Sequence, residues 1–217
     1  MRIHSSLVPF GERHGLKKCN FAEAERLCKE ALEQNVSSRG VSPWLHSLYS
    51  VYEASGDGDK IASTAEEIVL QGDLSYYDKL KEALNRLGQW DTEYPGILKK
   101  FEIRLSASGY MQILAKEREY AKLLAILKRN TAYIYQYGAS LAAEYRNDVN
   151  DIFMKQISHE AEQARNRTAY NAVCGHIAVF AEAGYPEAAI ELTVRFLSVY
   201  KRRPAFVDEL NKVKISL

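Results

Sequence analysis

The chain has 217 residues, of which 47% are hydrophobic and 26% charged, and its formal net charge is +1. This composition is typical of a folded globular protein, and the near-zero charge excludes a strong general attraction to nucleic acid or to an anionic membrane. No apolar run approaches the ~20 residues that a membrane-spanning helix needs, and the N-terminus lacks the apolar core of a secretory signal peptide. We therefore expect a cytoplasmic protein.

Helical periodicity begins after an N-terminal segment, residues 1–20, which carries few periodic apolar positions and either stands apart or joins the first helical unit. From Phe21 onward apolar residues recur at spacings of three and four, which predicts amphipathic helices. Start signals are Asn20 with a glutamate three residues later, and a proline after each of Ser42 and Tyr185. Glycines mark the predicted helix ends, at Gly40, Gly56, Gly72, Gly88, Gly109 and Gly184.

Residues 131–137 are the one ambiguous stretch, because their apolar and polar residues alternate as in a β-strand. The same residues also place Tyr133, Tyr137 and Leu141 on one face of a helix. Since a lone strand would have no partner to pair with, we predict a helix here.

The predicted hairpin turns recur at separations of about 29 to 38 residues, the size of a two-helix repeat. They lie near Asn20, Asp57, Gly88, Glu117, Asn147 and Gly184. Short connections make consecutive helices antiparallel neighbours, and helical pairs stack because one pair alone cannot bury its apolar face. We predict an all-α protein in which residues 21–217 form a single right-handed α-solenoid of about five to six hairpins, similar to tetratricopeptide repeats without their strict consensus.

Patterns that resemble metal-binding or catalytic motifs each lack a required partner. Cys174 and His176 lie two residues apart, so on a helix they point about 200° away from each other and cannot bind one ion. His159 and Glu160 begin a zincin motif, but Gln163 stands where the second histidine is required. The sequence also has no phosphate-binding loop and no nucleophile elbow. We therefore predict no metal, no cofactor and no enzymatic activity.

The three cysteines, Cys19, Cys28 and Cys174, cannot all pair within one chain, and none lies in a Cys-x-x-Cys motif. We expect free thiols in or near the core, as is usual in a reducing compartment.

Two patterns near the C-terminus go beyond helical periodicity: Ala-x-x-Arg-x-x-Tyr-x-x-Val-Cys over residues 164–174 and Tyr-Lys-Arg-Arg-Pro-Ala over residues 200–205. With Leu-Ala-Ala-Glu-Tyr at 141–145 and Phe-Met-Lys-Gln-Ile at 153–157, this order resembles the C-terminal helical region behind the zinc finger of bacterial SWIM zinc-finger proteins. The resemblance implies a helical interaction module. The family's metal motif, Cys-x-Cys followed by Cys-x-His, is missing from this sequence, so zinc and any DNA contact of the finger are not implied. The chain is then a C-terminal fragment or a relative without the finger.

Tyrosines and arginines supply the candidate contacts with a partner, since these residue types are enriched at binding hot spots. Residues 131–145 hold more aromatic side chains than one helical stripe can bury, and two arginines follow one hairpin later. A basic run lies near the C-terminus. The candidates are Tyr135, Tyr137, Arg165, Arg167, Arg202 and Arg203. The alternatives are that the tyrosines belong to the core, that the first two arginines tie helices together, and that the basic run complements a helix dipole.

Three functions remain. The neutral charge and the incomplete motifs favour a non-catalytic scaffold that binds a protein or peptide, with no membrane partner. The second is a helical-repeat module for nucleic acid, which basic side chains gathered on one face would favour. The third is an enzyme with a scattered site, which a deep polar pocket with converging acids and a histidine would favour.

Overall fold

The computed structural model describes residues 20–34 and 40–216, with side chains up to residue 213, and these residues form twelve α-helices and no strand. The all-α prediction is confirmed for this part of the chain. Predictions on residues 1–19, including the free thiol of Cys19, lie outside the described residues. No helix within the described ranges is long and apolar enough to cross a membrane.

The chain divides into two compact units, one up to Tyr110 and one from Met111 onward, with the boundary inside the sixth helix. The helices before the boundary are α1 (Phe21–Gln34), α2 (Pro43–Ser55), α3 (Gly58–Leu70), α4 (Tyr77–Arg86) and α5 (Trp90–Arg104), and α6 (Ala107–Lys116) contains it. Those after it are α7 (Tyr120–Arg129), α8 (Ile134–Leu141), α9 (Arg146–Gln163), α10 (Arg167–Glu182), α11 (Pro186–Val199) and α12 (Pro204–Ser216). A single domain over residues 21–217 stays a prediction.

In the first unit each helix packs on the next, and alternate helices are also neighbours. Helices α1 to α4 contact one another in sequence, and α5 lies against both α3 and α4. Lys60 of α3 reaches Glu25 of α1, with 3.0 Å between ammonium and carboxylate, and Lys100 of α5 reaches Glu66 of α3 at 2.7 Å. The core between these helices contains fully buried Ile68.

The second unit repeats this arrangement. Helices α8 to α12 pack in sequence, and α8 contacts α10, which in turn contacts α12. Stacked rings fill the space between them: Phe153 lies 4.8 Å from Phe180, and Tyr170 lies 4.6 Å from Phe206, measured between ring centroids. Helices α8, α10 and α12 therefore form one layer, and α9 and α11 pack against this layer.

Local signals set most helix boundaries. Asn20 accepts a hydrogen bond from the backbone N–H of Glu23 at 3.3 Å, and Pro43 and Pro186 are the first residues of their helices. Five of the six predicted end glycines have positive φ, which an L-residue with a Cβ rarely adopts. The prediction for Gly109 is wrong. It lies in the first turn of α6, where its N–H donates to the Ser106 hydroxyl at 3.1 Å, so the serine starts a helix where an end was expected.

The helix predicted over residues 131–137 is confirmed. A short 3₁₀ helix, Thr131–Tyr133, leads directly into α8.

Candidate functional site

The two candidate tyrosines lie inside the second unit. Tyr137 of α8 is only 6% exposed, and burial raises the pKa of its hydroxyl. Tyr135 is half-buried and stacks on His176 of α10 with 3.8 Å between ring centroids. Burial, together with the nearby Glu160 carboxylate, raises the pKa of Tyr135. Both placements correspond to the core alternative that the sequence allowed.

A chain of polar side chains surrounds the stacked ring. Oε2 of Glu160 lies 2.6 Å from Nδ1 of His176, which places the ring proton on Nδ1, and Oε1 accepts a hydrogen bond from Gln156 at 2.7 Å. Gln156 in turn accepts from the hydroxyl of Thr131. Burial raises the pKa of Glu160, but the hydrogen bonds from His176 and Gln156 outweigh burial and lower it.

This chain of contacts ties the helices α8, α9 and α10 together. Within the described residues no group of three or more His, Cys, Asp and Glu side chains is placed to hold a metal ion. The prediction of no bound zinc stays a prediction.

Arg167 joins α10 to α12. Its guanidinium lies 3.4 Å from the carboxylate of Asp208 and 3.2 Å from that of Glu209. The Glu209 side chain is only 8% exposed, and Lys212 also reaches it at 2.7 Å. Arg167 therefore neutralises a buried carboxylate. This placement corresponds to the alternative interpretation of the sequence, in which the arginine ties two helices together.

Three other arginines meet at the C-terminal end of α9, and we call Arg165, Arg195 and Arg203 the arginine cluster. Arg165 donates to the carbonyl oxygen of Ala164 at 2.9 Å and to that of Glu162. Arg203, from the turn between α11 and α12, donates to the Ala164 carbonyl at 3.1 Å and to another carbonyl one turn earlier.

Arg195 completes the cluster from α11, donating to the hydroxyl of Ser158 on α9 at 2.8 Å. The Arg203 guanidinium lies 4.7 Å from the ring centroid of Tyr200. Burial raises the pKa of Tyr200 and the charge of Glu162 raises it further, while all three arginines lower it. The phenol therefore lies within electrostatic reach of every member of the cluster.

The positive charge of the arginine cluster is incompletely neutralised, because its members donate to carbonyl and hydroxyl oxygens, which carry no net charge. The C-terminal end of α9 supplies about half a negative charge, and Glu162 supplies one more. A net charge of about +1.5 remains from the three guanidiniums on this count. Arg202 is exposed in the same turn as Arg203 and adds to it.

A cavity of about 470 Å³ opens along α9 beside the arginine cluster. It is lined by Thr131, Lys155, Gln156, Ser158, His159 and Glu162. Ser158 and Glu162 belong to both the cavity wall and the surroundings of the cluster, so the two form one surface. We call this combined surface the α9 face.

A larger cavity, of about 590 Å³, lies in the first unit between α2, α3 and α4, but its charges are paired internally. Tyr49 donates to Glu53 at 3.1 Å, and Arg86 lies 2.5 Å from Glu82. Lys79 lies over the Tyr49 ring, 4.8 Å from its centroid. The α9 face is therefore the stronger candidate for a charged partner.

Comparisons with protein-family models, with curated proteins and with solved structures give no match to this chain.

Sequence reasoning missed Arg195 of the arginine cluster, the neighbouring Tyr200, and the cavity residues Lys155 and Ser158. Tyr200 directly precedes the basic run that ends at Arg203, so considering the tyrosine together with that run could have found it. Arg195 is a single arginine on an exposed helix face and carries no comparable signal.

Proposed function

We propose that the chain is a non-catalytic α-solenoid that binds a protein or peptide partner on the α9 face. The contacts between alternate helices support the solenoid: α3 with α5 in the first unit, and α8 with α10 and α10 with α12 in the second. Stacked helical hairpins produce this pattern, because each pair covers the apolar face of the next. We propose one such right-handed array, of about five to six hairpins, over residues 21–217.

The proposed binding site rests on one observation, the arginine cluster around Tyr200. Its guanidiniums donate hydrogen bonds to oxygens that carry no net charge, so their positive charge is incompletely neutralised, and an open cavity lies beside them. Arginine and tyrosine are the residue types that most often dominate binding energy at protein interfaces. Arg165 and Arg203 also stabilise the C-terminal end of α9 through its last carbonyls, but within the described residues no carboxylate neutralises them as Glu209 neutralises Arg167.

Nucleic acid is a second candidate partner, since the arginine cluster gathers basic side chains on one face. The α9 face runs from Lys155 to Ala164, which is roughly 14 Å along the helix. That length matches about four phosphates of one strand at 3.4 Å each, and the Glu162 carboxylate lies among them. This internal negative charge supports a peptide over a phosphate backbone.

The resemblance to the helical region of bacterial SWIM zinc-finger proteins remains part of the proposal. The two patterns that carry it meet in space, since Arg203 of the second contacts the carbonyl of Ala164 in the first. We also propose a cytoplasmic location, which the buried, free thiols of Cys28 and Cys174 support.

Selection from a random peptide library on the immobilised full chain tests the proposal. We expect enriched peptides whose affinity falls by about fivefold or more in Arg195→Glu, because reversing that charge opposes any partner of the cluster. The matched control is Arg86→Glu, an exposed arginine of the first unit, which should leave the affinity unchanged. Failure to enrich any peptide, or binding that survives Arg195→Glu intact, would contradict the proposal.

A further inference from the structure

We infer that the partner presents an acidic segment to the α9 face, a peptide of about four residues with at least two carboxylates. The inference rests on the proposed function and names the chemistry of the partner. It follows from the donors that the arginine cluster presents, from the length of the face and from its charge.

The arginine cluster has hydrogen-bond donors that its internal contacts leave unused. A guanidinium has five N–H groups in a planar fork. The hydrogen bonds to described residues engage a single terminal nitrogen in each case: Nη1 of Arg165, Nη2 of Arg195 and Nη1 of Arg203. Each side chain is thus oriented by its internal bonds, and the rest of each fork can bind one carboxylate through two parallel hydrogen bonds.

The length of the α9 face fits a short extended peptide. From Lys155 to Ala164 the α9 face is roughly 14 Å long, at 1.5 Å per helical residue. An extended peptide rises about 3.3 Å per residue, so about four residues cover that distance. Side chains at alternate positions of an extended peptide point the same way, about 7 Å apart. Two carboxylates spaced by one residue can therefore reach two different members of the cluster.

The cavity adds a further cationic side chain to the α9 face. Lys155 and His159 lie four residues apart on α9, hence on the same side of the helix, and both line the cavity. Lys155 extends the positive surface beyond the arginine cluster. A partner that crosses the α9 face meets cationic groups at both ends and one carboxylate, Glu162, between them. This alternation suits discrete carboxylates that can avoid Glu162, and it disfavours the evenly spaced phosphates of a nucleic-acid strand.

The test uses fluorescence anisotropy with the full chain and two labelled hexapeptides of alternating alanine and a second residue, glutamate in one and glutamine in the other. We expect the glutamate peptide to bind at least about tenfold tighter, since bidentate pairs with arginine are lost in the glutamine peptide. Raising the salt concentration from about 50 to about 200 mM should weaken the glutamate peptide alone. A ten-nucleotide oligothymidylate is the phosphate-bearing probe.

Variants of Arg195 locate the binding. Arg195→Gln should weaken the glutamate peptide by about fivefold or more, and Arg195→Lys should weaken it less because the charge remains. The control Arg86→Gln removes an exposed arginine from the first unit and should change the affinity by less than about twofold. Because Arg195 is exposed and donates only to Ser158 among described residues, its variants should melt like the parent protein.

The possible outcomes separate the inference from the proposed function. Equal affinity for the two hexapeptides overturns the inference, while peptides selected from an unbiased library that bind at Arg195 leave the proposed function standing. Oligothymidylate that binds tighter than the glutamate peptide and is weakened by Arg195→Gln overturns both. If Arg195→Gln leaves the affinity for the glutamate peptide unchanged, the acidic peptide binds elsewhere and the inference is overturned.

Discussion

Adding one methyl group at Gly138 should destabilise the second unit, although alanine is the better helix former. An ideal Cβ at this position in α8 would lie 2.5 Å from Cε2 and 2.7 Å from Cζ of Phe153. Carbon atoms in contact are normally about 3.5–4.0 Å apart, so the ring must move by roughly 1 Å. Phe153 is fully buried and stacked on Phe180, which leaves it little room.

The magnitude follows from two opposing terms. Overpacking a core costs about 1–3 kcal/mol, and replacing glycine by alanine inside a helix returns up to about 1 kcal/mol. We expect Gly138→Ala to lower the free energy of unfolding by about 1–2 kcal/mol. The matched control is Gly175→Ala in α10, where a Cβ meets nothing within 4 Å and the gain should be about 0.5–1 kcal/mol.

Urea unfolding of the two variants and the parent, followed by far-ultraviolet circular dichroism, measures the change in the free energy of unfolding for each variant. Changes of opposite sign support the packing of α8 on α9. If Gly138→Ala stabilises the protein as much as Gly175→Ala does, Phe153 does not lie against α8 as described and the reasoning fails.

Three further predictions concern charges and a thiol. Arg167→Ala should lower the free energy of unfolding by about 1–2 kcal/mol, because buried Glu209 loses a cationic partner; an unchanged urea midpoint would show that this pair contributes nothing. Hydrogen bonds from Lys29 and Lys60 lower the pKa of Glu25 to about 2 from an ordinary value of 4.5. These bonds therefore stabilise the folded protein fully above pH 4.5, and this stabilisation is lost as the pH falls towards 2. Glu25→Gln should accordingly flatten the loss of stability between these pH values, and an acid profile identical to that of the parent would refute this. Burial raises the pKa of Cys174 to about 11. Iodoacetamide at pH 8 should therefore label this thiol at least about tenfold more slowly in the folded than in the unfolded protein. Equal labelling rates, measured by peptide mapping, would disprove its burial.

The helices and most of their boundaries could be predicted because the signals are local. Pro186 begins α11 and Gly184 adopts positive φ just before it, as the sequence indicates. Gly109 misled the prediction because a glycine at the start of a helix and one at its end look alike in sequence, and here the Ser106 hydroxyl decides between them. The contacts between alternate helices, such as α10 with α12, join residues far apart in sequence, and helical periodicity does not specify them.

The candidate site could be predicted only in part for the same reason. Arg165 and Arg203 were singled out as residue types, but the hydrogen bond from Arg203 to the carbonyl of Ala164 joins positions 39 residues apart. Tyr135 has a clear aromatic signal, yet its orientation towards His176 depends on how α8 packs on α10. Sequence patterns indicate which side chains are able to bind another molecule. Packing determines which of these side chains are already engaged by neighbouring helices of the same chain.

Photo-crosslinking of the alternating glutamate hexapeptide, with a photoreactive group at one end, tests the binding claim most directly because mass spectrometry then reads the contact site on the full chain. We expect crosslinks within residues 155–165 and 195–203, and their loss when unlabelled glutamate peptide competes. Crosslinks confined to the first unit, or crosslinks that the glutamine peptide competes away equally well, would contradict binding of an acidic segment at the α9 face.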